Sequence, residues 1–258
     1  MAQHRPFVIS LAGMDPSAGA GLLADIKTFE ALGTYGLGVC TALTVQTDTR
    51  FISAEWQSAA QIIAQLKPLL ETFPVQYCKI GIMKDADTML EVISTITSLR
   101  PGIRIVLDPV LKASAGYTFH DDTRLSTWKA VLEQVYLLTP NYQEAMLLTG
   151  AVDGEAAAKK LASYCAILLK GGHRSDKQGI DTLYLPEGES GKKHLTILDI
   201  PAGKQSVFPK HGSGCVLSAA ITAQLAAGMP LQTACITAKL YTEKFLASHS
   251  SLLGYHNT

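Results

Sequence analysis

Short apolar segments alternate with longer segments of helical period through the first two thirds of the chain. Apolar runs typical of strands occupy residues 7–12, 37–45, 75–80, 103–107, 136–138 and 166–169. Apolar residues spaced three or four apart predict helices at residues 21–32, 59–72, 87–99, 123–134, 141–148 and 155–164. Because most of the strands are apolar almost throughout, we expect a mainly parallel sheet that is buried on both faces.

The pattern changes after Gly172. Residues 182–185 and 194–198 predict two short antiparallel strands, and residues 214–227 and 231–249 predict two final helices. The sequence has no repeat and no linker, so we expect one domain over residues 1–258, an α/β three-layer sandwich with helices on both faces of a mostly parallel sheet. Ligands of such sheets bind beyond the carboxyl ends of the strands, which directs attention to the residues that follow them.

The strongest local motif is HGSGC at residues 211–215, which is followed by a helical run. Backbone N–H groups around Gly212, Ser213 and Gly214 would converge at the helix start, where the helix dipole favours a phosphate or a developing negative charge. Cys215 falls in the first helical turn, where we expect the pKa of its thiol to be lowered. A tight turn with a buried cysteine is the structural alternative.

A second glycine-rich segment, GMDPSAGAG at residues 13–21, follows the first strand. Its spacing from Gly19 to Ala24 matches a dinucleotide-binding fingerprint, which would indicate a dehydrogenase. In that fingerprint the glycines follow the strand at once, whereas here an Asp-Pro-Ser-Ala segment intervenes. A loop that lines an acceptor pocket is therefore the favoured interpretation.

Charged residues follow three other strands. Asp108 ends one strand and Glu144 lies just beyond the next, so their carboxylates are candidates for holding Mg²⁺ through oxygens and waters. Each of them alone is also typical of a cap. Lys170 precedes two glycines and would bring a cation towards phosphates. The chain has no Walker A motif, so a nucleotide would be held in another way.

Composition excludes several classes of function. The 258 residues include 22 basic and 22 acidic side chains, which leaves no net charge to attract nucleic acid or a membrane surface. Hydrophobic residues make up 47% and charged residues 17%, as in an ordinary globular protein. The five cysteines are scattered, and the sequence shows no secretory or membrane-spanning segment. We therefore expect a cytoplasmic protein with a small-molecule partner.

Seven segments in order resemble the hydroxymethylpyrimidine/phosphomethylpyrimidine kinases, a family of the ribokinase-like superfamily, which also contains pyridoxal kinases. They are SLAGMDPSAGAGLLADIKTFEALGTYG, TALTVQT, KIGIM, IVLDPVL, LTPNYQEAMLLTG, ILLKGGH and KHGSGCVLSAA. The resemblance implies a ribokinase-like fold, and ATP- and Mg²⁺-dependent phosphorylation of a hydroxymethyl group on a pyrimidine in thiamine biosynthesis. It also implies a homodimer.

The resemblance implies roles for individual residues as well. Residues 212–215 would form an anion hole for the transferred phosphoryl group, with Cys215 beside the acceptor hydroxyl, and Glu144 would organise Mg²⁺ together with Asp108. The pyrimidine pocket would be lined by Gly13, Ala20, Asp25, Gln46 and Val110, and the nucleotide site would include Asn141, Lys170 and Lys239.

Two departures from the family pattern bear on this assignment. Ala18 stands where the family often has glycine, and Lys112 lies two places before the usual lysine. That lysine is near the phosphate-binding region in relatives, so the departure bears on the second phosphorylation, of the monophosphate. Two other functions stay open: a pyridoxal or pyridoxine kinase on the same scaffold, and a non-catalytic regulator that binds a vitamin.

Overall fold

Nine strands and eight helices make up the part of the chain that the computed structural model describes, residues 5–111, 124–172, 179–187 and 194–256. The strands are β1 (Phe7–Met14), β2 (Tyr35–Gln46), β3 (Phe51–Trp56), β4 (Tyr77–Ile80), β5 (Arg104–Leu107), β6 (Leu137–Leu138), β7 (Ala166–Leu169), β8 (Asp181–Glu187) and β9 (His194–Ile200). The helices are α1 (Gly21–Ala31), α2 (Ala59–Thr72), α3 (Ala86–Leu99), α4 (Leu125–Leu132), α5 (Tyr142–Thr149), α6 (Gly154–Leu161), α7 (Ser213–Ala226) and α8 (Leu231–Ala247).

One sheet joins these strands in the order β3-β2-β1-β4-β5-β6-β7-β8-β9. The six strands from β2 to β7 in this order are parallel, whereas β3 at one edge and β8 and β9 at the other are antiparallel to their neighbours. Helices α2 to α6 share a hydrophobic cluster with one face of the sheet, and α1, α7 and α8 cover the other face. The predicted three-layer α/β fold is confirmed.

Side-chain caps fix where several helices begin. Ser58 and Gln61 form a capping box at the start of α2, and the carboxylates of Asp85 and Asp153 accept backbone N–H bonds at the starts of α3 and α6. These bonds satisfy N–H groups that have no acceptor within the helix. Because such caps are local in sequence, α2 has the bounds that the sequence predicts.

The sequence did not predict β3, the edge strand. Most of its residues are at least partly exposed, and it pairs antiparallel with the last residues of β2. A strand with one neighbour and little burial leaves no continuous apolar run to recognise. β2 begins at Tyr35, two residues earlier than predicted, where Gly36 lies against Ile26 and Phe29 of α1.

Three further findings bear on the sequence analysis. Lys112 and the predicted helix start at residue 123 lie outside the described residues. All five cysteines are free thiols. Within the described ranges, no helix is both long enough and apolar enough to cross a membrane.

Candidate active site

The start of α7 packs against the loop that follows β1. Gly212 is the N-cap of α7, and its φ of +75° and ψ of 14° lie in the left-handed region that favours glycine. A Cβ atom at Gly212 would overlap the carbonyl oxygen of Gly19 and the backbone of Ala20. Glycine therefore lets the two segments touch, and the next three residues of α7 carry N–H groups with no acceptor within the helix.

Asp15 ties this loop to the residue before the N-cap. Its fully buried carboxylate accepts the backbone N–H of Ser17 and of Ala20, each at 2.9 Å, and its Oδ2 lies 2.9 Å from Nε2 of His211. Burial acts to raise the pKa of Asp15, but the hydrogen bonds from His211 and Ser17 hold it below the usual value. The carboxylate occupies N–H groups that a bound pyrophosphate would need, which argues against the dinucleotide interpretation.

A lysine joins the two carboxylates that the sequence predicts as metal ligands. Nζ of Lys170 lies 2.8 Å from Oδ1 of Asp108 and 3.8 Å from Oε2 of Glu144. Burial acts to raise the pKa of Asp108, but the charges of Lys170 and Lys79 hold it below the usual value. The structure therefore brings Asp108, Glu144 and Lys170 together at the carboxyl ends of β5, β6 and β7.

This charged group lies directly beside the first turn of α7. A Cβ atom at Gly214 would be 3.3 Å from Nζ of Lys170 and 3.7 Å from Oδ2 of Asp108. Ser218, one turn further along α7, donates to the same Oδ2 of Asp108 over 3.4 Å. The first turn of α7 thus faces an ammonium, which favours phosphate groups, and a carboxylate, which favours a cation bound beside them.

The spacing of Asn141 and Glu144 has a structural explanation as well. The two residues form the capping box of α5, in which Oδ1 of Asn141 accepts the N–H of Glu144 at 2.9 Å and Oε2 of Glu144 accepts the N–H of Asn141 at 2.7 Å. Burial raises the pKa of Glu144 to about 7, against the opposing charge of Lys170. The cap holds this carboxylate in place beside Lys170.

The prediction of a lowered pKa for Cys215 is wrong. Burial of the sulfur raises the pKa of Cys215 to about 11, although the charge of Lys79 and a hydrogen bond from the N–H of Gly21 act to lower it. The helix terminus does not compensate for the removal of the thiol from water. Cys215 is partly exposed as a residue, but its raised pKa makes it a neutral thiol in the free protein at neutral pH.

The predicted pocket residues lie at the ends of β1, β2 and β5 and at the start of α1. Thr44 of β2 donates to the carbonyl oxygen of Met14 at 2.7 Å and accepts from the amide of Gln46 at 3.0 Å, which places Gln46 close to the end of β1. Gly13 lies within β1, Ala20 is the N-cap of α1, and Val110 follows Asp108 at the end of β5. Asp25 is fully buried one turn into α1.

Lys239 is held by protein groups. Its ammonium donates to the carbonyl oxygen of Gly179 at 2.5 Å and to Oδ2 of Asp181 at 2.9 Å. The other oxygen of Asp181 accepts the N–H of Gly171 at 2.8 Å. Lys239 therefore holds Gly179 and, through Asp181, Gly171, and its charge is already paired.

A family model described as phosphomethylpyrimidine kinase matches residues 15–258. The chain belongs to this family. A hydroxymethylpyrimidine/phosphomethylpyrimidine kinase of Rhizobium meliloti is 35% identical over 95% of this chain and 91% of the relative. An Escherichia coli protein of the same name is 35% identical over 83% of this chain and 81% of its own length.

Solved structures agree with this assignment. A phosphomethylpyrimidine kinase from Clostridium difficile has a TM-score of 0.72 and 28% identity, covering 92% of this chain and 98% of that one. A pyridoxal kinase from Staphylococcus aureus in complex with ADP has a TM-score of 0.78 at 23% identity, covering 99% and 94%. At this lower identity the likeness shows the fold alone. The predicted kinase family and ribokinase-like fold are confirmed.

Sequence reasoning assigned no role to several residues that lie around the start of α7 and the neighbouring strand ends. Asp15 and His211 join the two glycine-rich segments, and Ser218 contacts Asp108. Lys79, fully buried beside Asp25, was also passed over. The feature of the sequence that could have revealed Lys79 is a lysine in the otherwise apolar core of β4.

We predict that Ala18→Gly stabilises the protein. Ala18 has a φ of 56°, in the left-handed region that disfavours a Cβ atom. Relief of this strain exceeds the entropy cost of glycine in the unfolded chain, so we expect the free energy of unfolding to rise by about 1 kcal/mol. Urea unfolding followed by circular dichroism measures it. Ala202→Gly is the control, because Ala202 lies in an exposed loop and has no positive φ; this substitution should lower the free energy of unfolding. If the two substitutions change the free energy of unfolding equally, the backbone at Ala18 is not strained.

We also predict that the thiol of Cys215 titrates late. Because the pKa is raised to about 11, the rate of alkylation by iodoacetamide should still be rising at pH 10. Timed alkylation followed by peptide mass spectrometry measures this rate for Cys215 alone, and the urea-unfolded protein provides the reference curve. A rate that levels off below pH 8 in the folded protein would show that the helix terminus dominates after all.

Proposed function

We propose that the protein transfers the γ-phosphoryl group of ATP to the hydroxymethyl group of 4-amino-5-hydroxymethyl-2-methylpyrimidine, and then phosphorylates the monophosphate. The observation that carries this proposal is that the first turn of α7 lies beside the Lys170–Asp108 ion pair: a Cβ atom at Gly214 would be 3.3 Å from Nζ of Lys170 and 3.7 Å from Oδ2 of Asp108. Family membership supports the acceptor, since the relatives are named for it.

The anion hole would bind the phosphoryl group during transfer. A new bond forms between the acceptor oxygen and the γ-phosphorus, the bond to the β–γ bridging oxygen breaks, ADP leaves, and the proton of the acceptor hydroxyl passes to water. Because the transition state of phosphoryl transfer is loose, catalysis depends on positioning and on stabilising charge. Fixed N–H groups and the ammonium of Lys170 meet both requirements.

Nucleotide binding is supported by related folds. Pyridoxal kinase structures from Staphylococcus aureus hold ADP or AMP-PCP. In this chain, Lys170 would contact the phosphates directly, and Asn141 would act by capping α5 beside them. Lys239 would act indirectly. It holds Gly179 and Asp181, and Asp181 in turn accepts the N–H of Gly171, the residue after Lys170.

Asp108 and Glu144 fit a Mg²⁺ site. Both carboxylates already face one cation, the ammonium of Lys170, and Mg²⁺ is usually held by one or two carboxylates together with waters and phosphate oxygens. When bound, Mg²⁺ would neutralise charge on the phosphates. We propose that these two residues hold it.

Cys215 would contribute chiefly through its backbone N–H and through a neutral thiol beside the acceptor. Its raised pKa leaves little thiolate to take the acceptor proton in the free protein. The acceptor would be oriented by Gln46, whose amide carries both a donor and an acceptor suited to an aminopyrimidine edge, and by Asp25. Gly13, Ala20 and Val110 would line the same pocket. The homodimer implied by the resemblance stays a prediction, which light scattering can test.

Purified protein with ATP and Mg²⁺ should phosphorylate the pyrimidine. We expect kcat/KM for the pyrimidine to exceed that for pyridoxal by about tenfold or more, because a site that hydrogen-bonds an aminopyrimidine leaves polar groups unpaired with another ring. Mass spectrometry of the products measures both reactions. A preference for pyridoxal would favour the pyridoxal kinase alternative, and absence of turnover with either acceptor would favour a regulator.

We predict that Glu144→Gln raises the Mg²⁺ requirement. Glutamine can keep the capping box with Asn141, so the helix start is preserved while the negative charge is lost. We expect half-maximal activity to need about tenfold more Mg²⁺. A Mg²⁺ titration at saturating ATP and acceptor measures this. Glu133→Gln, an exposed change outside the site, is the matched control; identical titrations of the two variants would contradict the role of Glu144.

A further inference from the structure

A fully buried ion pair lies next to the proposed acceptor pocket. The side chains of Lys79 and Asp25 are both 0% exposed, and Nζ of Lys79 lies 2.7 Å from Oδ2 of Asp25. Ser10, which is the partner of Lys79 in the parallel pairing of β1 and β4, donates to the same oxygen at 2.5 Å. Lysine is almost never buried to this extent without a specific partner.

The direction of Lys79 is set by the sheet. Cys78 and Ile80 belong to the hydrophobic cluster on the face covered by α2 to α6, so Lys79 points to the opposite face, beneath α1 and α7. Its ammonium reaches the end of β4, where a Cβ atom at Gly81 would lie 3.1 Å from Nζ.

The ionisable groups that act on Lys79 come from three elements. They are Asp25 of α1, Cys215 of α7 and Asp108 at the end of β5. Lys79 is thus a cation inside the protein, between the pocket residue Asp25 and the anion hole. Among the residues that the structure describes, only Asp25 accepts a hydrogen bond from it.

Only one of the two oxygens of the Asp25 carboxylate accepts hydrogen bonds from the described residues. Oδ2 has two donors, whereas Oδ1 is buried and has no hydrogen-bond partner among the described residues. A buried carboxylate oxygen without a donor is costly, so its presence calls for an explanation. A donor carried by a ligand would supply the missing bond.

We propose that Lys79 is a positioning residue for the acceptor, which together with Ser10 holds Asp25 by Oδ2 and leaves Oδ1 for an O–H or N–H group of the bound pyrimidine. This inference rests on the proposed function, since it assumes that Asp25 meets the acceptor. The charge of Lys79 has a further effect: burial raises the pKa of Asp25, and Lys79 opposes that rise.

A double-mutant cycle tests this inference. We expect Lys79→Met to raise KM for the acceptor by about tenfold and to change KM for ATP by less than about twofold. Lys79→Met/Asp25→Asn should lose no more acceptor affinity than Asp25→Asn alone, because Lys79 acts through Asp25. Additive losses, or equal changes in the two KM values, would overturn the inference in favour of a purely structural role.

Ser10→Ala provides a second test if Lys79→Met does not fold. It removes one donor to Oδ2 and keeps the ion pair, so we expect a rise of about threefold in acceptor KM. Thr28→Ala is its matched control, since Thr28 is a buried hydroxyl in the same helix as Asp25 but bonds to the carbonyl oxygen of Ala24. Equal KM values in Ser10→Ala and in Thr28→Ala would also overturn the inference.

Calorimetric titration with the pyrimidine in the absence of ATP separates this inference from the proposed function. If the wild-type protein binds the pyrimidine and Lys79→Met or Ser10→Ala binds it about tenfold or threefold more weakly, the positioning role is supported. If wild type and variants bind it equally, only the role of Lys79 is wrong. If the wild-type protein binds no pyrimidine, the proposed function and the role of Lys79 are both wrong.

Discussion

The contact between the first turn of α7 and the loop after β1 is the constraint on which the site depends. Gly212 touches the backbone of Gly19 and Ala20, and Asp15 joins both segments through His211. These bonds use polar groups of the loop and of His211, and the first N–H groups of α7 have no acceptor within the helix. A side chain at Gly212 would separate the segments and displace the first turn of α7 from Lys170.

Buried charge pairs fix the remaining parts of the site. In the described part of the chain, Lys79, Lys170 and Lys239 pair with Asp25, Asp108 and Asp181 at 2.7, 2.8 and 2.9 Å. Each pair joins elements that are distant in sequence, and breaking such a pair by removing one partner costs about 3–5 kcal/mol. The charges are therefore in place before a substrate binds, which is the condition for electrostatic catalysis without reorganisation.

The same residues serve the fold and the site. Asn141 and Glu144 cap α5 while the carboxylate faces Lys170, and the raised pKa of Glu144 reflects the burial that the cap imposes. At Cys215 the fold opposes the chemistry that the motif suggests. Burial of the thiol raises its pKa by more than the helix terminus lowers it, so the thiol stays neutral. A motif thus predicts which groups meet, whereas burial decides their protonation.

Local sequence determined much of this protein. The apolar runs and caps placed the parallel strands and most helices within a few residues, and the glycine-rich segments and strand-end charges indicated where the site lies. Three things were decided only by tertiary structure: the edge strand β3, whose stability comes from pairing with β2; the neutral state of Cys215; and the pairing of Lys79 with Asp25. The pairing of β3 is with its neighbour in sequence, but it depends on the rest of the sheet to hold β2 in place. The other two depend on residues distant in sequence, because removal of water and charge compensation arise only when the layers pack together.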